Sequence, residues 1–179
     1  MLEKKKILRK IIKVRVSAIS ADERRKREEI LHNNLFSMPE FLSASSVMLF
    51  ANLPDEIGTF SLIDKCIAMG KKVYLPVING DDMTACEFTG EYRVGRYEIK
   101  EPETPNSSLL TPHSIDFVLV PGVAFSPNGY RLGRGKGYYD KFLSKYSNLF
   151  TVGVCFREQF YLDIPTEPHD VPMNKVLVI

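Results

Sequence analysis

The 179 residues, 44% hydrophobic and 26% charged, suffice for one domain with a substantial buried core. A formal net charge of +2 sets up no overall field toward nucleic acid or a membrane surface, and no uninterrupted apolar run reaches the roughly 20 residues that span a bilayer. Cys66, Cys86 and Cys155 are odd in number and form no CxxC pair, which argues against a disulfide framework and a zinc site and for a reducing cytosol; the expected location is cytoplasmic.

The first 37 residues read as two helices. In the first, Ile7, Leu8, Ile11 and Ile12 recur at helical spacing among seven cations (Lys4, Lys5, Lys6, Arg9, Lys10, Lys13, Arg15) and a single acid, Glu3. A presequence, a nucleic-acid arm and a basic amphipathic helix all fit such a segment, and the acidic helix that follows favours the third. Ser20 is placed to cap that second helix, with Glu23 as its capping-box partner. Pro39 breaks the pattern.

Strands and helices then alternate. Val47–Ala51 is an apolar run suited to a buried strand, and Thr59–Met69 has helical spacing closed by Gly70. Lys72–Val77 reads as a strand that Pro76 ends, and Thr84–Phe88 as a weaker one. The polar stretch from Gly90 to Pro112 reads as an irregular excursion. Asp116–Val120 is nearly all apolar, the mark of a strand buried on both faces. Tyr138–Tyr146 is a helix, Thr151–Phe156 a strand and Lys175–Ile179 a last short strand. This order predicts a single α/β domain over residues 1–179 with a mostly parallel central sheet covered on both sides.

Between the strand at Asp116 and the helix at Tyr138 lies Arg131-Leu132-Gly133-Arg134-Gly135-Lys136-Gly137. Ligands of open α/β sheets bind beyond the carboxyl ends of strands. A strand-to-helix loop there offers backbone N–H groups, and alternate glycines permit close backbone approach and positive φ. Arg131, Arg134 and Lys136 add three cations, the arginines able to grip phosphate oxygens bidentately. The pattern describes a polyphosphate cradle. It is not the P-loop, which requires a hydroxyl after the lysine where Gly137 stands, nor a GxGxxG fingerprint. Asp140, in the helix's first turn, suits either the helix dipole or a Mg²⁺ ion beside bound phosphates. Tyr138 and Tyr139 are placed to stack on a planar ligand or to pack the helix on the sheet.

Pro121-Gly122-Val123-Ala124-Phe125, Gly129 and Arg131 through Asp140 closely resemble the signature of the 5-formyltetrahydrofolate cyclo-ligase family. Lys5-Lys6-Ile7-Leu8-Arg9, Asp55-Glu56-Ile57-Gly58-Thr59, Ile99-Lys100-Glu101-Pro102 and His169-Asp170-Val171-Pro172 fit in the same order, so the resemblance covers essentially the whole chain. It implies a three-layer α/β sandwich related to sugar-phosphate isomerase and CoA-transferase folds. It also implies an ATP- and Mg²⁺-dependent closure of 5-formyltetrahydrofolate, with or without a polyglutamate tail, to 5,10-methenyltetrahydrofolate. Arg134 and Lys136 would then stabilise the transferring phosphoryl group. Lys5, Lys6, Ile7, Leu8 and Arg9 would reach the nucleotide from the first helix, together with Arg131, Leu132, Gly133, Gly135, Gly137, Tyr138 and Tyr139. Glu56 would meet the pterin, with Ala51, Met83 and Tyr139 lining the same pocket. Asp140 and Asn174 would hold Mg²⁺; an acid usually stands at the second of these positions. His169 is expected to be a structural hydrogen-bonding residue. The implied enzyme acts as a monomer without nucleic-acid or membrane partners. A nucleic-acid-binding module and a sugar-phosphate enzyme are the competing readings.

Overall fold

In the computed structural model, which describes residues 1–95, 100–103, 115–146 and 148–179, the chain opens with two helices of equal length, α1 (Leu2–Ser17) and α2 (Ala21–Phe36). Ser20 caps α2 by accepting the backbone N–H of Glu23 at 3.2 Å. The face that α1 buries is not the one its isoleucines suggest. Lys5, Ile12 and Val16 are buried and Leu8 packs beside the core, while Ile7 and Ile11 are exposed. Pro39 starts a third short helix, α3 (Pro39–Ser43), from its first turn, where the missing N–H costs nothing.

The central sheet contains β1 (Ser46–Met48), β2 (Lys72–Asn79), β3 (Asp82–Glu87), β6 (Phe117–Val120), β9 (Phe150–Cys155) and β10 (Lys175–Val178), ordered β10-β9-β6-β1-β2-β3. Every pairing is parallel except β2 with β3. That last pair is a hairpin turning at Gly80, and β2 runs straight through Pro76 to Asn79. Pro76 ends only the pairing with β1, which stops at Met48 opposite Tyr74; a residue without an N–H cannot extend that ladder. Outside the sheet, β4 (Tyr92–Val94) pairs with β5 (Lys100–Pro102) and β7 (Ala124–Phe125) with β8 (Arg131–Leu132). Residues 96–99 and 104–114, which take in most of the irregular excursion expected from Gly90 to Pro112, lie outside the described residues.

Alternation along the strands distributes the core over two faces. Val47, Val73, Leu75, Phe117, Leu119, Val152 and Val154 point to the side covered by α1, α2, α3 and α4 (Phe60–Ala68). Met48, Tyr74, Val118, Val120 and Cys155 point to the side covered by α5 (Tyr138–Ser144) and Met173. Side chains of a strand alternate faces, so buried strands with apolar residues at every position demand a layer on each side. The three-layer sandwich follows. Asp116 ties the start of β6 to β1 by accepting from the N–H groups of Ser45 and Ser46 and the Ser46 hydroxyl at 2.9–3.0 Å. All three cysteines are free and buried, and no helix of the described residues is long and apolar enough to cross a membrane.

Candidate active site

Beyond the carboxyl ends of β1, β6 and β2 lies a cavity of about 460 Å³, within the range of small-molecule sites. Ala51 and Pro121 extend from β1 and β6 into its floor. Ile78 and Met83 of the β2–β3 hairpin form one wall, and the segment Gly133–Asp140 faces them. Two acids also line it, the buried Glu101 and the largely buried Glu56. The lining is thus mainly apolar, with a few converging charges.

The phosphate-cradle segment is shorter than its sequence suggests. Arg131 and Leu132 are not loop residues but the buried strand β8, held to β7 through the N–H of Val123 donating to the Leu132 carbonyl at 2.8 Å. The Arg131 side chain is only 3% exposed and donates to Asp140 Oδ2 at 2.8 Å, with its guanidinium over the Tyr139 ring at 5.2 Å. Its Nη1 and the Tyr139 hydroxyl are buried without a hydrogen-bond partner among the described residues. Arg131 therefore faces the cavity from a fixed position instead of sweeping an open loop. The loop proper is Gly133–Gly137. Gly135 and Gly137 adopt φ of +108° and +68°, the left-handed region that glycine enters without a Cβ penalty, whereas Gly133 does not. Gly137 caps α5 with backbone alone, and α5 is seven residues long, so its dipole adds little to anion binding.

Of the three cations expected to grip phosphate, two are paired. Arg131 is on Asp140, and Arg134 Nη2 lies 2.6 Å from Asp55 Oδ1 and 3.1 Å from Glu56 Oε1. Lys136, exposed on the cavity wall, forms no ion pair with a described residue. Glu56 also accepts the Leu53 N–H at 2.9 Å. Burial pushes the Glu56 carboxyl above the usual carboxylate range, and the Leu53 N–H and Arg134 pull only part of the way back. Tyr139 is likewise raised, first by burial.

Within Lys5–Arg9 only Arg9 meets the loop, donating from Nε to the Gly133 carbonyl at 2.8 Å. Lys5, one turn before Arg9 on the same face of α1, is buried 3.2 Å from Glu167 and 3.6 Å from Asp170; Lys6 and Ile7 are exposed and Leu8 packs on the core. A second cavity of about 160 Å³ lies between α1 and this region, lined by Arg9 and Lys13 on one side and Asp55, Arg134 and Gln159 on the other.

The expected metal pair is not brought together on the cavity wall. Asp140 lines the cavity and accepts one further bond, from the Val171 N–H at 3.4 Å. Asn174 lies outside the lining: its side-chain oxygen accepts the N–H and hydroxyl of Thr151 at 2.7 and 2.9 Å, fastening β9 to the segment before β10. Glu167, His169 and Asp170 bring their ligand atoms within 4.8 Å of one another, with both carboxylates already paired to the Lys5 ammonium. Two residues that the sequence places in flanking motifs without a role of their own join the site. Glu101 closes the cavity by accepting the Ile78 N–H at 3.2 Å, an N–H freed because β1 has ended. Asp55 shares Arg134. An acid in an extended segment or a turn carries no sequence mark of such a position.

Residues 1–179 match the 5-formyltetrahydrofolate cyclo-ligase family along the entire chain. A probable 5-formyltetrahydrofolate cyclo-ligase of Caenorhabditis elegans is 31% identical over 194 residues, covering 98% of this chain and 92% of that relative. The 5-formyltetrahydrofolate cyclo-ligase of Escherichia coli (strain K12) is 28% identical over 174 residues, covering 93% and 96%. The NMR structure of an Aquifex aeolicus 5,10-methenyltetrahydrofolate synthetase superposes with a TM-score of 0.86 at 32% identity, covering 97% of this chain and 89% of that one. With Arg131, Gly133, Arg134 and Lys136 through Asp140 gathered about one cavity and the family match spanning residues 1–179, the chain belongs to the 5-formyltetrahydrofolate cyclo-ligase family.

Proposed function

We propose that the larger cavity receives 5-formyltetrahydrofolate and that the Gly133–Gly137 loop presents the terminal phosphate of ATP to its formyl oxygen. The observation that carries this reading is Lys136: a cation without an ion pair among the described residues, on the wall of an otherwise mainly apolar cavity that also holds the largely buried carboxylate of Glu56. The apolar residues Ala51, Ile78 and Met83 suit the faces of a pterin, and Glu56 suits its N–H donors.

A formamide oxygen is a poor leaving group. Transfer of the γ-phosphoryl group to it breaks the bond to ADP and makes a bond from phosphorus to the formyl oxygen, leaving the formyl carbon an iminium-like electrophile. N10 attacks that carbon and loses its proton, and the carbon–oxygen bond breaks to release phosphate and the cyclic methenyl product. Such transfer depends on positioning and charge stabilisation more than on a protein nucleophile. Lys136 supplies the point charge at the transferring group, Arg134 bridges phosphate oxygens, and the loop N–H groups hold the remainder. Arg131 fixes Asp140 and lies against the Tyr139 ring, which stiffens the cavity wall that faces the substrate.

Asp140 fits Mg²⁺ in one respect: among the described residues, beside its bond to Arg131, it is engaged only by a 3.4 Å contact, and this ion is usually held by one or two carboxylates together with phosphate oxygens. The ion would neutralise charge on the phosphates. The expected active form is a monomer, and three buried free thiols suit the cytoplasm. Incubating the purified protein with ATP, Mg²⁺ and 5-formyltetrahydrofolate is expected to generate the methenyl chromophore, with one ADP per product. Folded protein that leaves the absorbance unchanged would refute the assignment.

A further inference from the structure

Arg134 lies in a wall shared by the two cavities: it and Gly122 line both. On the side of the larger cavity it meets Glu56, and on the side of the smaller one Asp55. The two carboxylates differ in setting. The Glu56 side chain is 11% exposed and that of Asp55 38%. Leaving a buried carboxylate short of a donor costs more than doing so to an exposed one, so breaking the Arg134–Glu56 contact carries a penalty that falls on the first ligand to arrive.

We infer that Asp55 is a positioning residue and that the Arg134–Glu56 ion pair couples the two substrates, so that ATP and 5-formyltetrahydrofolate bind with positive cooperativity. The inference rests on the reading above, in which Glu56 serves the pterin and Arg134 the triphosphate. In this structure those two groups satisfy each other, at 3.1 Å. The amino-pyrimidinone edge of a pterin carries adjacent N–H donors that fit a carboxylate, and Glu56 accepts them by releasing Arg134. Phosphate oxygens offer Arg134 a bidentate partner, and Arg134 takes it by releasing Glu56. Whichever ligand arrives first must break the pair; the second finds it broken. Linkage makes the effect equal in both directions. Asp55 explains why the guanidinium does not swing into solvent once Glu56 has let go: its contact at 2.6 Å persists and keeps Arg134 at the shared wall.

The test is calorimetric. The affinity of the wild-type chain for 5-formyltetrahydrofolate is measured with Mg²⁺ alone and with Mg²⁺ and saturating adenylyl imidodiphosphate, and the nucleotide is titrated likewise with and without folate. Each ligand is expected to tighten the other roughly fivefold, the lower end of typical couplings. In Arg134→Gln, with nucleotide raised to saturate the variant, folate affinity is expected not to respond to nucleotide. In Asp55→Asn the coupling persists, because Arg134 still meets Glu56, but kcat falls with little change in the folate KM, and Asp55→Glu restores it. Independent binding of both ligands to the wild type, or an Arg134→Gln variant that keeps the fivefold effect, overturns the coupling; unchanged kcat in Asp55→Asn overturns the positioning role. Failure to bind folate at all would instead sink the functional reading on which the inference rests.

Discussion

Lys136 and Arg134 stand two residues apart in one loop, yet their surroundings give them different work. Arg134 is engaged by two carboxylates, while Lys136 makes no ion pair with any described residue. Replacing Lys136 by Ala should therefore lower kcat by about a hundredfold or more, the usual loss on removing one group that stabilises developing charge, while the Kd for 5-formyltetrahydrofolate stays within about twofold. Stopped-flow formation of the chromophore and calorimetric titration check the two halves, and equal losses in both would contradict the role. Residue type and spacing made this loop legible. They could not show that Lys5 is buried, because Glu167, the partner that makes its burial tolerable, is 162 positions along the chain, nor that Arg131 is buried on a strand, because that strand is only two residues long. Nor could they show that the Asn174 side-chain oxygen accepts from Thr151 of β9.

At the scale of elements, apolar runs and their terminators disclosed nearly every strand of the central sheet, because strands buried on both faces cannot disguise their composition. The hairpin β7–β8 was hidden. Its strands are two residues long, and the tertiary contact that fixes it involves Gly129. Gly129 has φ +81°, accepts the Met173 N–H at 2.9 Å, and leaves no space for a Cβ, which would stand 2.4 Å from the Met173 carbonyl oxygen. Gly129→Ala combines a left-handed backbone for an L-residue with a clash against backbone, so it should destabilise by roughly 2 kcal/mol or more. Urea denaturation checks this, and an unchanged midpoint would mean the clamp yields freely. Pro76 shows the converse error: a proline in an apolar run ended one ladder without ending the strand.

For the whole molecule, stability at acid pH depends on carboxylates that hold layers together. Glu158 receives two bonds from Arg27 of α2, at 2.5 and 3.0 Å, and that hydrogen bonding holds its carboxyl below the usual range against the opposing effect of burial. At Asp116, burial would raise the carboxyl, but the bonds from Ser46 and Ser45 together bring it below the usual range. A carboxyl lowered in the folded state contributes its full stability above its unfolded value, near 4, and loses it as pH falls through the folded value. Glu56 has the opposite sign: raised on folding, it favours the fold at low pH and loses that contribution as pH rises through its folded value. The Tm is expected to hold from pH 7 to about 5 and drop below about 4, with a shallower drop in Glu158→Gln. Parallel curves for the two proteins would show that the Arg27 pair contributes nothing to acid sensitivity.

The interment of the cysteines has a chemical corollary. Burial pushes the Cys66 thiol up to about 11, only partly offset by Lys71, and the Cys155 thiol up to about 12, with Glu158 adding to the rise. Neither sulfur offers an appreciable thiolate at neutral pH, and alkylators and peroxides react with the thiolate. Cys66 lies among the residues beneath the α1–α4 layer and Cys155 among those beneath α5, so opposite halves of the protein are shielded together. A covalent scar on either sulfur consequently dates from a moment when that half stood open, which makes the chain a recorder of its own lapses in folding.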